Sequence, residues 1–333
     1  MSCLNRATSV EPSQLNRLKN GQLLAICVLT WGTTWYAITF QIGLTTPEFS
    51  VACRFGLAGL TVLLWRALAG DALRLRARDH ARLALQGGFM YGLSYLCVYH
   101  AEKHLVSGLV AVGYSAAPLV SGLGARWLFG TALTRRFLGG GALGLLGVAL
   151  IFAPEFAQAA NAPDRSSILR GVLFTVASVL LSTVGSLTAS RNRQHGLPFW
   201  VSLGWGMVYG AAVAALLGAL WGAFGGALVG AVISPGAGPA QVSAFVLPTA
   251  LSWWLSLIYL ASAGSVLTFA CFLTLQERIG PGPAGSVGVM TPLLALGVSL
   301  LMESYQVSVY TAVGAGLAVL GNVLVLSPKP TAT

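Results

Sequence analysis

The sequence predicts an all-α integral membrane protein, in which ten transmembrane helices form two inverted five-helix repeats around a central cavity. Composition, the spacing of apolar runs and an internal repeat support this fold class. Of 333 residues, 56% are hydrophobic and 8% are charged, whereas soluble domains carry about 25% charged residues. The chain therefore has too few polar residues to cover a soluble domain of this length. A soluble enzyme, a secreted disulfide scaffold and a nucleic-acid binder are excluded.

Charged residues divide the chain into apolar runs of membrane-spanning length, about 20 residues each. The stretch between Gln194 and Gln276 contains no Asp, Glu, Lys or Arg, and it is too long for a single helix. Its Gly/Pro-rich centre, 234–240, divides it into two helices. The predicted helices are 21–47, 49–65, 83–101, 105–125, 137–154, 171–190, 199–224, 249–276, 279–302 and 304–328.

The basic residues predict the orientation of these helices. Cytoplasmic loops collect Lys and Arg, so the net charge of +10 indicates orientation better than a polyanionic partner. With the N-terminus inside, 15 of the 19 basic residues fall on inner segments: Arg6, Arg17, Lys19, Arg66, Arg74, Arg76, Arg78, Arg82, Arg126, Arg135, Arg136, Arg191, Arg193, Arg278 and Lys329. Lys103, Arg165 and Arg170 fall on outer segments, and Arg54 lies within the second helix. Both termini are therefore predicted to be cytoplasmic.

The second half of the chain repeats the first. An offset of 174 relates the pairs Gly108/Gly282, Cys97/Cys271, Pro118/Pro292, Gly140/Gly314 and Gly147/Gly321, and an offset of 150 relates Gly21/Gly171 and Thr33/Thr183. Five helices per repeat reverse the orientation of the second copy, as in many secondary transporters. The predicted segments are a tail (1–20), a first repeat (21–154), a linker (155–170), a second repeat (171–326) and a tail (327–333).

Several short motifs resemble the EamA-type branch of the drug/metabolite transporter superfamily. They are Trp31-Gly-Thr-Thr-Trp35, Tyr114-Ser-Ala-Ala-Pro118, Thr291-Pro292 and the glycine-rich stretches 139–147 and 314–321. The resemblance extends over about 21–326, and within the superfamily the chain most resembles bacterial aromatic amino acid exporters. It implies export of aromatic and other neutral amino acids across the bacterial inner membrane by alternating access.

The ionisable residues indicate whether transport is coupled to protons. Glu48, Glu102, Glu155 and Glu303 are predicted at outer helix ends that water reaches, so no mid-span carboxylate is expected to relay protons and facilitated transport is predicted. His100 is the candidate coupling group; the alternative is a plain polar residue near a helix end.

Arg54 is the exception among the charged residues, because it lies inside a predicted span. It stands six residues beyond Glu48, which places it roughly 9 Å inward along the helix. Its side chain either snorkels outward or faces the cavity and attracts a substrate carboxylate. The sequence leaves both alternatives open.

Aromatic and small polar side chains are the candidate lining of the cavity. Trp31 and Trp35 share one helix face, as do Tyr91, Tyr95 and Tyr99. The predicted substrate-binding residues are Trp31, Trp35, Arg54, Tyr91, Tyr95, Tyr99, Tyr114, Ser182, Ser186, Trp205 and Phe269. Packing within the protein or an interfacial aromatic belt is the alternative for such aromatics, and the belt is predicted for Trp253 and Trp254.

Proline and glycine predict the hinges. Pro118 and Pro292 each remove a backbone hydrogen bond and should kink matching helices, with Gly113 and Gly288 beside them as further hinge positions. The glycines of the fifth and tenth helices predict tight helix packing.

An intramembrane enzyme and a carrier for another small neutral metabolite or drug are the alternative functions. The four histidines, His80, His100, His104 and His195, form no HExxH motif, and the five cysteines form no CxxC motif. No catalytic residue, metal or cofactor is therefore predicted. The expected partners are neutral amino acids and membrane lipid, with no nucleic acid, and one chain holds both repeats, so a monomer suffices.

Overall fold

The computed structural model describes residues 14–161, 165–221, 247–303 and 308–326. Most of the predicted N-terminal tail, the Gly/Pro-rich break at 234–240 and the C-terminal tail lie outside the described residues. Part of the predicted linker, 162–164, also lies outside them, and the side chain of Glu155 is not described.

The first half of the chain is helical apart from short connections. Its helices are α1 (Gln14–Arg17), α2 (Asn20–Thr39), α3 (Pro47–Leu68), α4 (Ala77–Gly87), α5 (Ser94–Ala101), α6 (Ser107–Gly113), α7 (Ala117–Phe129) and α8 (Arg135–Asn161). A π-helical turn, Gly88–Leu93, joins α4 to α5 without a break, and a 3₁₀ turn, Tyr114–Ala116, joins α6 to α7.

The second half has the same organisation. Its helices are α9 (Arg165–Gln194), α10 (Phe199–Leu220), α11 (Leu251–Ala261), α12 (Thr268–Ile279), α13 (Pro281–Ala284), α14 (Val287–Met302) and α15 (Val309–Leu326). A π-helical turn, Ser262–Leu267, joins α11 to α12.

Helices occur at each of the ten predicted places within the described residues. Six segments are long and apolar enough to cross a membrane: Pro47–Leu68, Ser107–Phe129, Arg135–Pro154, Ser166–Gln194, Phe199–Leu220 and Leu251–Ile279. Shorter apolar helices span Met290–Met302 and Val309–Gly321. The chain is therefore an all-helical, multi-pass membrane protein.

The predicted end of the first helix was wrong for a local reason, whereas the second helix starts within two residues of the predicted position. The first helix ends at Thr39 and not at Pro47, because a turn containing Gly43 at φ +84° intervenes. The next helix begins at Pro47, where the Thr46 hydroxyl accepts a hydrogen bond from the Phe49 amide at 3.3 Å. This side-chain cap satisfies an amide that the first helical turn leaves unpaired.

The two π-helical turns are related by the offset that relates the sequence repeats. Gly88–Leu93 and Ser262–Leu267 are 174 residues apart at both ends. The packing partners also correspond, because α2 packs against α14 and the equivalent α9 packs against α7. The same irregularity at equivalent positions, with equivalent neighbours, is what a duplicated unit produces.

Polar contacts divide the helix ends into two groups. At one end, Arg193 pairs with Glu277 at 2.9 Å and the Asn192 amide donates to the Arg82 carbonyl at 3.4 Å. At the other end, His100 contacts Glu48 at 2.8 Å. We call these the arginine end and the glutamate end. Most predicted inner basic residues belong to helix ends of the first group.

The fifth and tenth predicted helices pack closely, as their glycines indicate. A Cβ atom at Gly147 of α8 would lie 2.5 Å from the Gly314 carbonyl oxygen of α15. Any larger residue at this position would separate the two helices. These helices form a side wall of the bundle, away from the central cavity.

The interfacial-belt prediction was wrong for Trp253. This side chain is 0% exposed, and its Nε1 atom donates to the Ser50 hydroxyl at 3.3 Å. Its neighbour Trp254 is 39% exposed, which suits a belt position. Adjacent helical residues point about 100° apart, so one of the pair faces α3 while the other faces outward.

Candidate functional site

A central cavity of ≈ 80 Å³ lies between equivalent helices of the two halves. Its wall is formed by α2, α5 and α7 from the first half and by α9, α12 and α14 from the second, with adjoining turns. A single water needs about 10–15 Å³ measured in this way, so the cavity has room for several waters. It is much smaller than typical ligand pockets, which begin near 300 Å³, and a ligand would have to move its walls apart.

Eight of the predicted site and hinge residues line this cavity. They are Trp31, Trp35, Tyr95, Tyr114, Ser182, Ser186, Phe269 and Gly288. Thr34 and Thr183, which the sequence also places among the small polar residues of this surface, line it as well. The sequence prediction omitted eight other lining residues: Ile38, Met90, Val98, Ala117, Ser121, Phe272, Gly285 and Thr291.

The repeat offset relates several lining residues of the two halves. Adding 174 to lining positions of the first half yields lining positions of the second in four cases: Tyr95/Phe269, Val98/Phe272, Tyr114/Gly288 and Ala117/Thr291. The cavity therefore lies where equivalent surfaces of the two halves meet. Two of the four pairs join residues that were both predicted and two join residues that were both omitted, so applying the offset to a predicted residue would not have found an omitted one.

Aromatic rings form much of the wall. The Trp31 ring packs edge-on against Phe269 at 5.1 Å and lies 5.3 Å from Phe272. The Trp35 and Tyr114 rings are 5.2 Å apart. Such rings offer apolar area together with negative faces that attract cations.

Two buried polar atoms in the wall have no hydrogen-bond partner among the described residues. They are the Trp35 Nε1 donor and the Thr291 hydroxyl. Leaving a buried donor unpaired costs about 1–3 kcal/mol, so these atoms favour a polar ligand. By contrast, the Ser186 hydroxyl already accepts a hydrogen bond from Gln276 Nε2 at 2.7 Å.

Arg54 neither snorkels outward nor lines the cavity. It is 0% exposed, and its Nε donates to the Ser265 hydroxyl at 3.0 Å. Its guanidinium carbon lies 4.6 Å from the centre of the Tyr95 ring and 5.1 Å from that of Phe55. The buried positive charge therefore lies directly behind the aromatic wall, separated from the cavity by Tyr95.

Three predicted binding residues lie elsewhere. Tyr91 is buried and packs edge-on against Phe269 at 4.8 Å, behind the wall. Tyr99 lies one turn beyond Tyr95, and its hydroxyl donates to Gln41 Oε1 at 2.8 Å. Trp205 is at the arginine end, where its Nε1 donates to the Leu73 carbonyl at 3.1 Å. None of these three is among the cavity-lining residues.

His100, the candidate coupling residue, lies outside the cavity at the glutamate end. Its Nε2 is 2.8 Å from Glu48 Oε1, and its ring stacks on Phe174 at 5.2 Å. His100 is therefore placed to act on Glu48 and not on a bound substrate.

Of the predicted hinge residues, Gly288 lines the cavity, whereas Gly113, Pro118 and Pro292 do not. Pro118 follows the 3₁₀ turn Tyr114–Ala116 at the start of α7, where the helix changes its hydrogen bonding. Pro292 lies inside α14 next to the lining residue Thr291. A Cβ atom at Gly288 would be 2.8 Å from the Tyr114 carbonyl oxygen, whereas Gly113 faces Thr175 and lies outside the lining.

The prediction that water reaches Glu102 was wrong. Glu102 is 8% exposed, and neither of its carboxylate oxygens has a hydrogen-bond partner among the described residues. The neighbouring Glu48 is paired with His100, and Glu303 accepts a hydrogen bond from the Ser107 hydroxyl at 2.6 Å. In the part of the chain that the structure describes, no three His, Cys, Asp or Glu side chains are grouped as metal ligands.

Comparisons with known proteins agree with this architecture. Residues 19–153 match the EamA-like transporter family. Protein PecM of Dickeya dadantii (strain 3937) is 24% identical over 300 residues, which cover 90% of this chain and 88% of PecM. A solved crystal structure, described only as that of a protein, superposes with a TM-score of 0.65 at 20% identity. The superposition covers 92% of this chain and 96% of the chain in the solved structure. The two chains therefore share a fold.

Proposed function

We propose that this chain is a secondary transporter of the EamA-like family that exports neutral, aromatic amino acids by alternating access. In this proposal, ten spans form two inverted repeats, and both termini lie in the cytoplasm of a bacterial cell with the helices in its inner membrane. The family match and the distant relative PecM support a transporter of a small metabolite. The residues of the cavity support the narrower choice of substrate.

The observation that carries the proposal is the pairing of aromatic walls with unpartnered polar atoms in one cavity. An aromatic side chain that enters as the walls move apart would contact Trp31, Phe269 and Phe272, where ring contacts add to the free energy of burial. The Trp35 Nε1 and the Thr291 hydroxyl are available for the polar end of the same molecule. An apolar ligand would leave both groups unpaired.

The charges around the cavity favour a zwitterion. Arg54 lies behind Tyr95 with no carboxylate within ion-pair distance among the described residues, so its field favours a substrate carboxylate on that side. A substrate ammonium group can lie over the ring faces, as cations do over Trp and Tyr. Nucleotide sugars and phosphorylated compounds would need several basic side chains, and no Lys or Arg is among the described residues that line the cavity.

The small volume of the cavity suits a closed conformation that lies between two open ones. The close contacts that would have to separate include Gly288 with the Tyr114 carbonyl and Gly285 with Pro118. Both join the fourth predicted helix to the ninth, the two helices that carry the matched prolines. We infer that these contacts part and reform as the cavity opens at either end.

Reconstituted liposomes test the proposal. The account predicts saturable uptake of labelled phenylalanine that unlabelled tryptophan and tyrosine inhibit, without ATP. Uptake should run down the phenylalanine gradient whether or not a pH gradient is imposed, which is facilitated transport. Accumulation driven by a pH gradient would contradict facilitation. Uptake no faster than through protein-free liposomes would contradict the aromatic substrate and favour another small neutral metabolite.

A further inference from the structure

The glutamate end contains a buried carboxyl group that substrate binding does not use. Glu102 follows the last residue of α5, and its two carboxylate oxygens are buried without hydrogen-bond partners among the described residues. A charged carboxylate without donors is strongly disfavoured in such surroundings, whereas the neutral acid is tolerated. The geometry alone therefore favours a proton on Glu102.

The second carboxyl group at this end has the opposite environment. Glu303 accepts hydrogen bonds from the Ser107 hydroxyl at 2.6 Å, from the Ser107 amide at 3.5 Å and from the Ser299 hydroxyl. The Ser299 hydroxyl in turn accepts from the Gly108 amide at 3.0 Å. These donors satisfy the carboxylate oxygens of Glu303, whereas those of Glu102 have no donor among the described residues. They also join α6 of the first half to α14 of the second, which closes this end of the bundle.

Two charged groups act on Glu102, each from a different part of the fold. Burial raises the pKa of Glu102 well above its ordinary value, and the negative charge of Glu303 raises it further. Arg54, on α3, acts in the opposite direction. Tyr99 lies on α5, the helix that Glu102 follows, and also senses the charge of Glu102. The adjacent His100 and Lys103 interact instead with Glu48.

We propose that Glu102 is a proton-binding site that holds the glutamate end closed. Its proton preserves the contact that Glu303 makes with Ser107 and Ser299. With Glu102 neutral, Glu303 keeps its three donors and the two halves stay joined. When Glu102 loses its proton to bulk water, its negative charge repels that of Glu303 and needs hydration, which separates α6 from α14. The inference rests on the proposed function only in assuming that this end opens during transport.

The sign of the pH dependence follows from linkage. The closed conformation raises the pKa of Glu102, whereas the pKa of a hydrated Glu102 in the open conformation is about 4.3. Protons therefore bind more tightly to the closed conformation, which is favoured at low pH and is lost as the pH rises through the raised value. Because the proton enters and leaves at the same end, no net proton transport results.

Infrared spectroscopy of the full chain in lipid nanodiscs tests the proton site directly. The account predicts a protonated-carboxyl band that persists above the pH at which exposed glutamates ionise and that is missing in Glu102→Gln. Glu303→Gln removes the neighbouring negative charge and should shift the titration of this band to lower pH. A matched control is Glu277→Gln at the arginine end, which should leave the band unchanged. The absence of a persistent band, or an unshifted one in Glu303→Gln, would overturn the proposal.

Hydrogen exchange tests whether the proton controls closure. The amides of Ser107 and Gly108 donate across the closed contact, so they should lose protection when it opens. After correction for intrinsic exchange, their protection should fall as the pH rises in the wild type and in Glu277→Gln. It should stay high in Glu102→Gln, which mimics the protonated state. Protection independent of pH in the wild type would overturn the proposal. Both measurements use no substrate, so phenylalanine uptake separately reports a failure of the proposed function.

Discussion

Trp31 and Arg54 donate hydrogen bonds to the same acceptor, the carbonyl oxygen of Gly264. The Trp31 Nε1 is 3.2 Å from this oxygen and the Arg54 Nη2 is 3.4 Å from it. Gly264 lies in the π-helical turn Ser262–Leu267, where the wider turn leaves carbonyl oxygens available to side chains. A buried cation is thereby linked to an aromatic ring of the cavity wall, although the cation itself does not reach the cavity.

Arg54→Met is predicted to weaken recognition of the substrate carboxylate. An apolar residue of similar length can replace a buried charge without unfolding the protein, while it removes the positive field behind Tyr95. We expect the KM for phenylalanine to rise at least tenfold, about 1.4 kcal/mol, in liposome uptake. Inhibition by phenethylamine, which lacks the carboxylate, should change by less than threefold.

Arg66→Met is the matched control for this substitution. Arg66 lies on the same helix, α3, and pairs with Asp71 at 2.6 Å at the arginine end. Its replacement should leave the KM unchanged, because exposed ion pairs contribute little and lie far from the cavity. Equal KM values for Arg54→Met and the wild type would remove Arg54 from substrate recognition.

Gly288→Ala is predicted to impair transport through the contact between the fourth and ninth predicted helices. The new Cβ would lie 2.8 Å from the Tyr114 carbonyl oxygen, so the helices must separate or the closed cavity cannot form. Such overpacking costs about 1–3 kcal/mol. We expect a fall of at least fivefold in the initial rate of phenylalanine uptake.

Gly297→Ala provides the comparison on the same helix. A Cβ at Gly297 meets no atom within 4 Å, and Ala is the better helix former by about 1 kcal/mol. This variant should transport at the wild-type rate, with an unchanged or higher Tm. If both alanine variants transport equally well, the close approach at Gly288 has no role in the cycle.

Gly147→Ala is predicted to reduce stability without changing substrate selectivity. Its Cβ would come within 2.5 Å of the Gly314 carbonyl and separate α8 from α15. We expect a loss of about 1–3 kcal/mol, measured as a lower Tm in detergent. The KM of the folded protein should not change, because neither helix lines the cavity. Gly139→Ala, on the same helix with nothing within 4 Å, should keep the wild-type Tm.

Hydropathy and the repeat predicted most of the architecture. Apolar runs marked the helices because the membrane core requires them, and Pro118 with Pro292 marked equivalent elements. Ends of helices were harder to predict, as at Thr39, because a turn of apolar residues has the same hydropathy as a helix. The π-helical turns left no pattern, since they depend on packing and not on residue type.

The candidate site was predicted only in part, for a different reason. Helical spacing put Tyr91, Tyr95 and Tyr99 on one face, yet only Tyr95 lines the cavity. A cavity of this size exposes one or two turns of each helix, and spacing does not say which turn. The burial of Arg54 and Glu102 depends on contacts with the other half of the chain, through Ser265 and near Glu303, which no local pattern encodes.

Direct binding of labelled phenylalanine to the purified protein tests the central claim, that the cavity between the two halves recognises a neutral aromatic amino acid. Trp35→Phe removes the unpartnered donor from one half, and Thr291→Val removes the unpartnered hydroxyl from the other. Each variant should raise Kd about tenfold, since hydrogen bonds to charged groups contribute about 1.5–3 kcal/mol. Trp254→Phe, whose indole donates to the Pro248 carbonyl at 3.0 Å outside the cavity, should bind like the wild type. Wild-type Kd values in both cavity variants would contradict the account.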